Sequence, residues 1–98
     1  MTDNVIGSIA QIDKKMLMEK LSAELPALRA KMGSSQAELG ELIGVSRQTY
    51  SMIETQKKEM AWSVYMSLIL VFSSNPKTAS LLEFCGAFPA ELQMVLRK

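Results

Sequence analysis

Arg47, Gln48, Thr49 and Met52 are the residues of this 98-residue chain whose types and spacing could carry specific chemistry. Arginine offers a planar fork of donors that matches O6 and N7 of guanine. Glutamine offers a donor and an acceptor that match adenine, and the methyl groups of Thr49 and Met52 suit the thymine methyl. One good bidentate pair discriminates between bases by roughly 1–3 kcal/mol. On the first turn of a helix, such side chains reach base edges in the DNA major groove. Taken singly, each has a plainer reading: Arg47-Gln48-Thr49 could be a solvated helix start, and Met52 could belong to the core.

The flanking residues predict the elements that would position them. Ser35-Gln36-Ala37-Glu38 has the spacing of a capping box, with Ser35 as N-cap and Glu38 reaching back. A helix then runs to about Ile43 and is expected to bury Ala37, Leu39, Leu42 and Ile43. Gly44 ends it, Val45 plugs the turn, and Ser46 caps a second helix running to about Thr55. The inward residues of that helix should be Tyr50 and Ile53, leaving Arg47, Gln48, Ser51 and Met52 on other faces. Two short helices joined by a tight turn over residues 36–55, with the second helix at about 46–55 as the recognition helix, form the layout of a helix-turn-helix. Gln36 sits where the free amides and dipole of a helix N-terminus favour a phosphate. Lys57 and Lys58 follow the recognition helix, where phosphate contacts would set register without reading sequence. Read alone, Gln36 could be an exposed early-helix residue and the two lysines a solvated loop.

The rest of the chain reads as helix. Apolar residues from Ile9 to Met32 follow three- and four-residue steps, with Pro26 predicting a kink or break near Ser22–Leu25. Gly33 is a natural C-terminal cap. After a polar loop at 55–60, Ala61 to Ser73 is apolar all round and predicts a buried helix. Ser74-Asn75-Pro76 stops it. A short helix is expected over Lys77 to Cys85, and a last one from Pro89 through Leu96. No β-alternation, internal repeat or low-complexity tract is visible. The fold class is all-α.

Composition narrows the function. Net charge is +1, so the chain is not a uniformly basic DNA-coating protein. Val45 to Lys58 carries three cations, Arg47, Lys57 and Lys58, against one anion, Glu54, whereas Gln36 to Gly44 carries only Glu38 and Glu41. That asymmetry would orient the domain on a polyanion; ordinary solvated charge is the equal alternative. No run of about 18 apolar residues predicts a membrane span, and no basic-then-apolar leader is visible. One cysteine, Cys85, and no histidine argue against an internal disulfide, a zinc site or another metal centre. Cys85 reads as a small buried apolar residue, and a cytoplasmic setting is expected. With no metal-ligand spacing and no glycine-rich phosphate loop, an enzyme is the weakest reading, and no cofactor is expected.

Residues 28–58 resemble the phage repressor/Cro-type, or XRE-like, helix-turn-helix family, most specifically through Ser35-Gln36, Glu38-Leu39-Gly40, Gly44-Val45-Ser46-Arg47 and Ile53-Glu54. The resemblance implies a lambda-repressor-like five-helix domain over residues 21–82, with an N-terminal helical extension over 1–20 and a C-terminal helical tail over 83–98. It implies base reading by Arg47, Gln48 and Met52, a phosphate contact and bracing role for Gln36, and peripheral backbone contacts at Ser51, with Ser46 and Thr55 beside it. Gly40 matches the small residue that lets the helices cross closely. Arg29 and Glu54 match a structural ion pair. The sequence departs from the family at Gln56, where glycine is usual, near Met60, where proline is frequent, and at Tyr50, where Ile or Val is usual. An altered loop after the recognition helix and a tilted recognition helix are therefore expected.

These readings point to a transcriptional regulator, a repressor, that binds double-stranded DNA as a homodimer and reads half-sites about 34 Å apart. Both apolar ends are expected to supply the subunit interface. The alternative is an antitoxin-like or other protein-interaction module that keeps the fold and works through its apolar tail with a protein partner. A steep loss of affinity with salt separates the two.

Overall fold

The computed structural model describes residues 12–97. Six helices make up the described chain: α1 (Lys14–Met32), α2 (Gln36–Ile43), α3 (Arg47–Glu54), α4 (Trp62–Ser74), α5 (Ala79–Phe84) and α6 (Ala90–Leu96). No strand occurs among the described residues, and the fold is all-α.

Local chemistry sets the first three helices. Asp13 caps α1, accepting from the Met16 amide at 3.0 Å. Helix is expected from Ile9; Ile9 to Gln11 lie outside the described residues, but Ile12 and Asp13 precede the helix. The reason is the aspartate, which satisfies a free amide only from a non-helical backbone. Ser35 caps α2 in a complete capping box: its hydroxyl accepts from Glu38 N at 3.0 Å, and Glu38 Oε1 accepts from Ser35 N at 2.9 Å. Ser46 caps α3, accepting from Thr49 N at 3.0 Å. Gly33 and Gly44 close α1 and α2 in the left-handed conformation, at φ of 74° and 84°.

The break expected around Ser22–Leu25 does not occur. Pro26 lies inside a continuous nineteen-residue α1. Its ring is on the exposed face, while Leu17, Leu21, Leu25 and Leu28 are all buried on the other. Burying four leucines along one stripe offsets the lost hydrogen bond, which costs about 3 kcal/mol in an exposed helix.

Two residues expected in the core of α2 are outside it. Ala37 is exposed, and Leu42 is 62% exposed. Leu39 and Ile43, four residues apart, aim at the core together with Gly40. A step of 100° per residue then swings Leu42 to one flank and Ala37 to the other. On α3, Tyr50 and Ile53 face inward as expected.

The second half is held by burial. Tyr65, Leu68, Ile69 and Phe72 of α4 join Leu82, Ala87, Phe88 and Leu92 in the same buried cluster as Leu17, Leu39 and Tyr50. The division at residue 20 falls inside α1, and residues assigned to the two extensions share this cluster. Tyr65 donates its hydroxyl hydrogen bond to the Ala87 carbonyl, and Gln93 Nε2 donates to the Phe88 carbonyl at 2.8 Å. Thr78, fully buried, donates to the Phe72 carbonyl at 2.7 Å and so closes α4. α4 is not buried all round, however: Leu70 is 68% exposed. Cys85 is half-buried, and burial pushes its thiol pKa up.

Candidate nucleic-acid interface

α3 has two faces with opposite chemistry. Tyr50, Ile53 and Glu54 are buried. Arg47, Gln48 and Met52 are exposed, and neither Arg47 nor Gln48 makes a side-chain hydrogen bond to the described residues. Two donor-rich side chains at the first turn of the helix are therefore free to meet an external partner.

The buried face is anchored on one carboxylate. Arg29 of α1 donates Nε to Glu54 Oε1 at 2.9 Å and Nη2 to Oε2 at 3.1 Å, a bidentate pair. Gln36 Nε2 donates to Oε2 at 2.9 Å, and the Tyr50 hydroxyl donates to Oε1 at 2.9 Å. Four donors from three helices converge on a side chain only 6% exposed. Burial alone would raise the Glu54 carboxyl pKa; the donors of Arg29, Gln36 and Tyr50 outweigh that and hold it below the ordinary carboxylate value. The same contact raises the Arg29 pKa, while burial, aided by Glu54, raises that of the Tyr50 phenol. Arg29 also reaches the Ser34 carbonyl at 3.3 Å, just ahead of the α2 cap. Glu54 thus ties α1 and the start of α2 to the end of α3.

The turn is equally constrained. A Cβ built at Gly40 would lie 3.0 Å from the Val45 carbonyl oxygen and 3.4 Å from that of Ser46. Those backbone atoms cannot swing aside as a side chain would. Gly44 N donates to the Glu41 carbonyl at 3.2 Å, and Val45 N to the Gly40 carbonyl at 2.9 Å.

The departures from the family pattern are accommodated. Gln56 adopts φ of 62°, the one left-handed non-glycine residue among those described. It takes the backbone conformation that glycine adopts freely. Lys57 N and Lys58 N then close onto the Met52 carbonyl at 2.9 and 3.2 Å. Tyr50 is buried, and its hydroxyl adds a donor to Glu54 that Ile or Val would lack.

The residues singled out from sequence are not equally available. Lys57 and Lys58 are exposed beyond α3. Gln36 is half-buried and gives a side-chain N–H to Glu54. Ser46 Oγ both accepts from Thr49 N and donates to Thr49 Oγ1 at 3.0 Å, so both hydroxyls serve the cap. Thr49 and Ser51 are half-buried. Thr55 Oγ1 donates back to the Ser51 carbonyl at 2.8 Å. The bracing role of Tyr50 is missing from the sequence reading. Its signal was the i, i+4 spacing to Glu54, which puts both side chains on one face.

Two short helices crossing closely at a glycine-sealed turn, the second buried on one face and polar on the other, define a helix-turn-helix domain. Residues 27–59 match the family model described as helix-turn-helix (HTH_3). Over that third of the chain the protein is similar to the XRE-like helix-turn-helix DNA-binding family. No curated protein and no solved structure matches the chain. Among the described residues no group of three or more His, Cys, Asp or Glu is placed to hold a metal ion, and no helix is long and apolar enough to cross a membrane.

Proposed function

We propose that this protein is a sequence-specific transcriptional regulator, a repressor, that reads operator DNA in the major groove as a homodimer in the cytoplasm. The observation that carries the reading is the first turn of α3, where Arg47 and Gln48 are exposed and uncommitted on a helix braced from behind by Glu54. Arg47 reads guanine and Gln48 adenine. The methyl groups of Thr49 and Met52 contact thymine. Lys57, Lys58 and the α2 N-terminus at Gln36 take phosphates, with Ser46, Ser51 and Thr55 as peripheral backbone contacts. Of these, Gln36, Ser46 and Thr55 have side chains already engaged internally, so their contribution comes through backbone amides or remaining donor capacity.

The test is selection of bound duplexes from a random library, followed by Arg47→Ala and Gln48→Ala. Enrichment of a palindrome with half-sites about one turn apart is expected. Each substitution should relax specificity at one base position by roughly 1–3 kcal/mol, leaving the fold intact. Unchanged specificity in both variants would remove α3 from the reading role.

An interaction module is the second reading, favoured by Phe84, which stands 90% exposed on α5. A salt-insensitive chain that enriches no DNA but holds a protein partner would favour it.

A further inference from the structure

A shallow apolar groove runs along the seam of α4 and α6. One recess, of about 570 Å³, is lined by Met66, Ile69, Leu70, Phe88 and Leu96, with Arg97 at its edge. A smaller one of about 90 Å³ shares Met66 and Leu96 and continues to Trp62 and Val95. Leu70 is 68% and Leu96 45% exposed. Nothing in the described chain covers them.

We infer that this groove is the interface with a second copy of the chain, formed by α4 packing antiparallel on α4 of the partner subunit. The inference rests on the proposed dimeric reading and names the surface responsible.

Charge points to a second copy. In a two-fold interface, residues near the axis meet their own counterparts, so a charged face would repel itself. From Met60 through Pro76 the chain carries no charged residue. α4 has no acidic residue in its first turn, no side-chain cap at Ala61 and no basic residue in its last turn, where the neutral Thr78 hydroxyl donates to the Phe72 carbonyl; neither pole carries a compensating charge within the helix. An antiparallel copy brings the positive N-terminal pole of one α4 beside the negative C-terminal pole of the other. Lys14, whose Nζ lies 5.0 Å from the Trp62 ring centroid, stands at the N-terminal end and adds positive charge there.

Shape agrees. Ser63, Ser67, Leu70 and Ser74 recur at steps of four, three and four, the spacing of a helix–helix seam. Ser67 Oγ already donates to the Ser63 carbonyl at 2.9 Å, so burying it strands no donor. Small residues let the two α4 helices approach while Leu70 enters the partner's groove. α4 is about 20 Å long, so with α6 the face is smaller than the roughly 800 Å² per partner of a standard interface. The dimer should therefore dissociate on dilution.

Sedimentation of the full chain at about 100 µM, well above a micromolar Kd, tests this. The native chain should be dimeric, and Leu70→Glu and Leu96→Glu monomeric with unchanged helical content. Leu42→Glu, an equally exposed leucine on α2, should stay dimeric. Ser67→Cys in a Cys85→Ser background should cross-link on oxidation. A monomeric native chain, dimeric Leu70→Glu and Leu96→Glu variants, disruption by Leu42→Glu, or a dimer that Ser67→Cys does not cross-link would each overturn the inference. A dimer broken by Leu70→Glu that binds no DNA would support the interface and sink the proposed function. A monomer binding single half-sites would do the reverse.

Discussion

The first three helices and the last three are held by different physics. α1, α2 and α3 each begin with a side-chain cap, from Asp13, Ser35 and Ser46. α4, α5 and α6 begin at Ala61, Thr78 and Pro89 with no side-chain cap bond. The first half also holds the ion pair and its satellite hydrogen bonds, whereas the second is closed mainly by apolar burial around Leu68, Phe72, Leu82 and Leu92. Directional bonds are concentrated where two short helices must cross at one angle. Eight-residue helices are too short to hold themselves, so caps and the Glu54 hub supply what length does not. The α4–α6 half has only to cover the core, and non-directional burial suffices.

The largest test of this contrast is Glu54→Ala. It strands Arg29, Gln36 and Tyr50 together and should cost about 2–3 kcal/mol in urea unfolding. Loss of one partner from a fully buried pair costs roughly 3–5, but the Arg29 side chain is 26% exposed and water recovers part of that. The same hub sets a pH dependence. Because the folded carboxyl is held below its ordinary value near 4.5, its stabilisation is present above that pH and fades as pH falls through the lowered folded value. Glu54→Gln should flatten that acid limb; an unchanged limb would assign it to other groups.

Ser46→Ala removes the α3 cap and should cost about 1 kcal/mol. The opposite change in the uncapped half sharpens the comparison. Ala61 has the extended backbone of a capping residue, at φ −71° and ψ 156°, so Ala61→Ser should add about 0.5–1 kcal/mol. If Ala61→Ser gains nothing, the α4 terminus is already satisfied and the contrast fails there. The smallest effect is expected from Gln56→Gly, which relieves the left-handed glutamine but loosens the unfolded chain. A net gain of about 0.5 kcal/mol should appear as a small rise in Tm.

How legible each half is follows from the same division. Ser35, Glu38, Gly44, Ser46 and the Arg29–Glu54 pair are short-range or family-patterned signals, and each occupies its expected place. Pro26 and Leu42 are where local reasoning fails. A proline is a helix breaker by propensity, yet four buried leucines carry α1 through it. Leu42 is apolar by type, yet Leu39, Gly40 and Ile43 had already set the buried side of α2.

Some features were determined by the sequence alone: six helical stretches, capped starts at Ser35 and Ser46, helix closures at Gly33 and Gly44, and a donor-rich first turn at Arg47 and Gln48. Such features depend on neighbours within one or two turns, and that information lies in the local chain. The tertiary structure decided that Tyr50 would join Arg29 and Gln36 on Glu54, that Gln56 would hold a left-handed backbone, and that Leu70 and Leu96 would share an open groove. Those outcomes depend on which faces meet across distant segments, because burial and convergent hydrogen bonds exist only once the helices have packed.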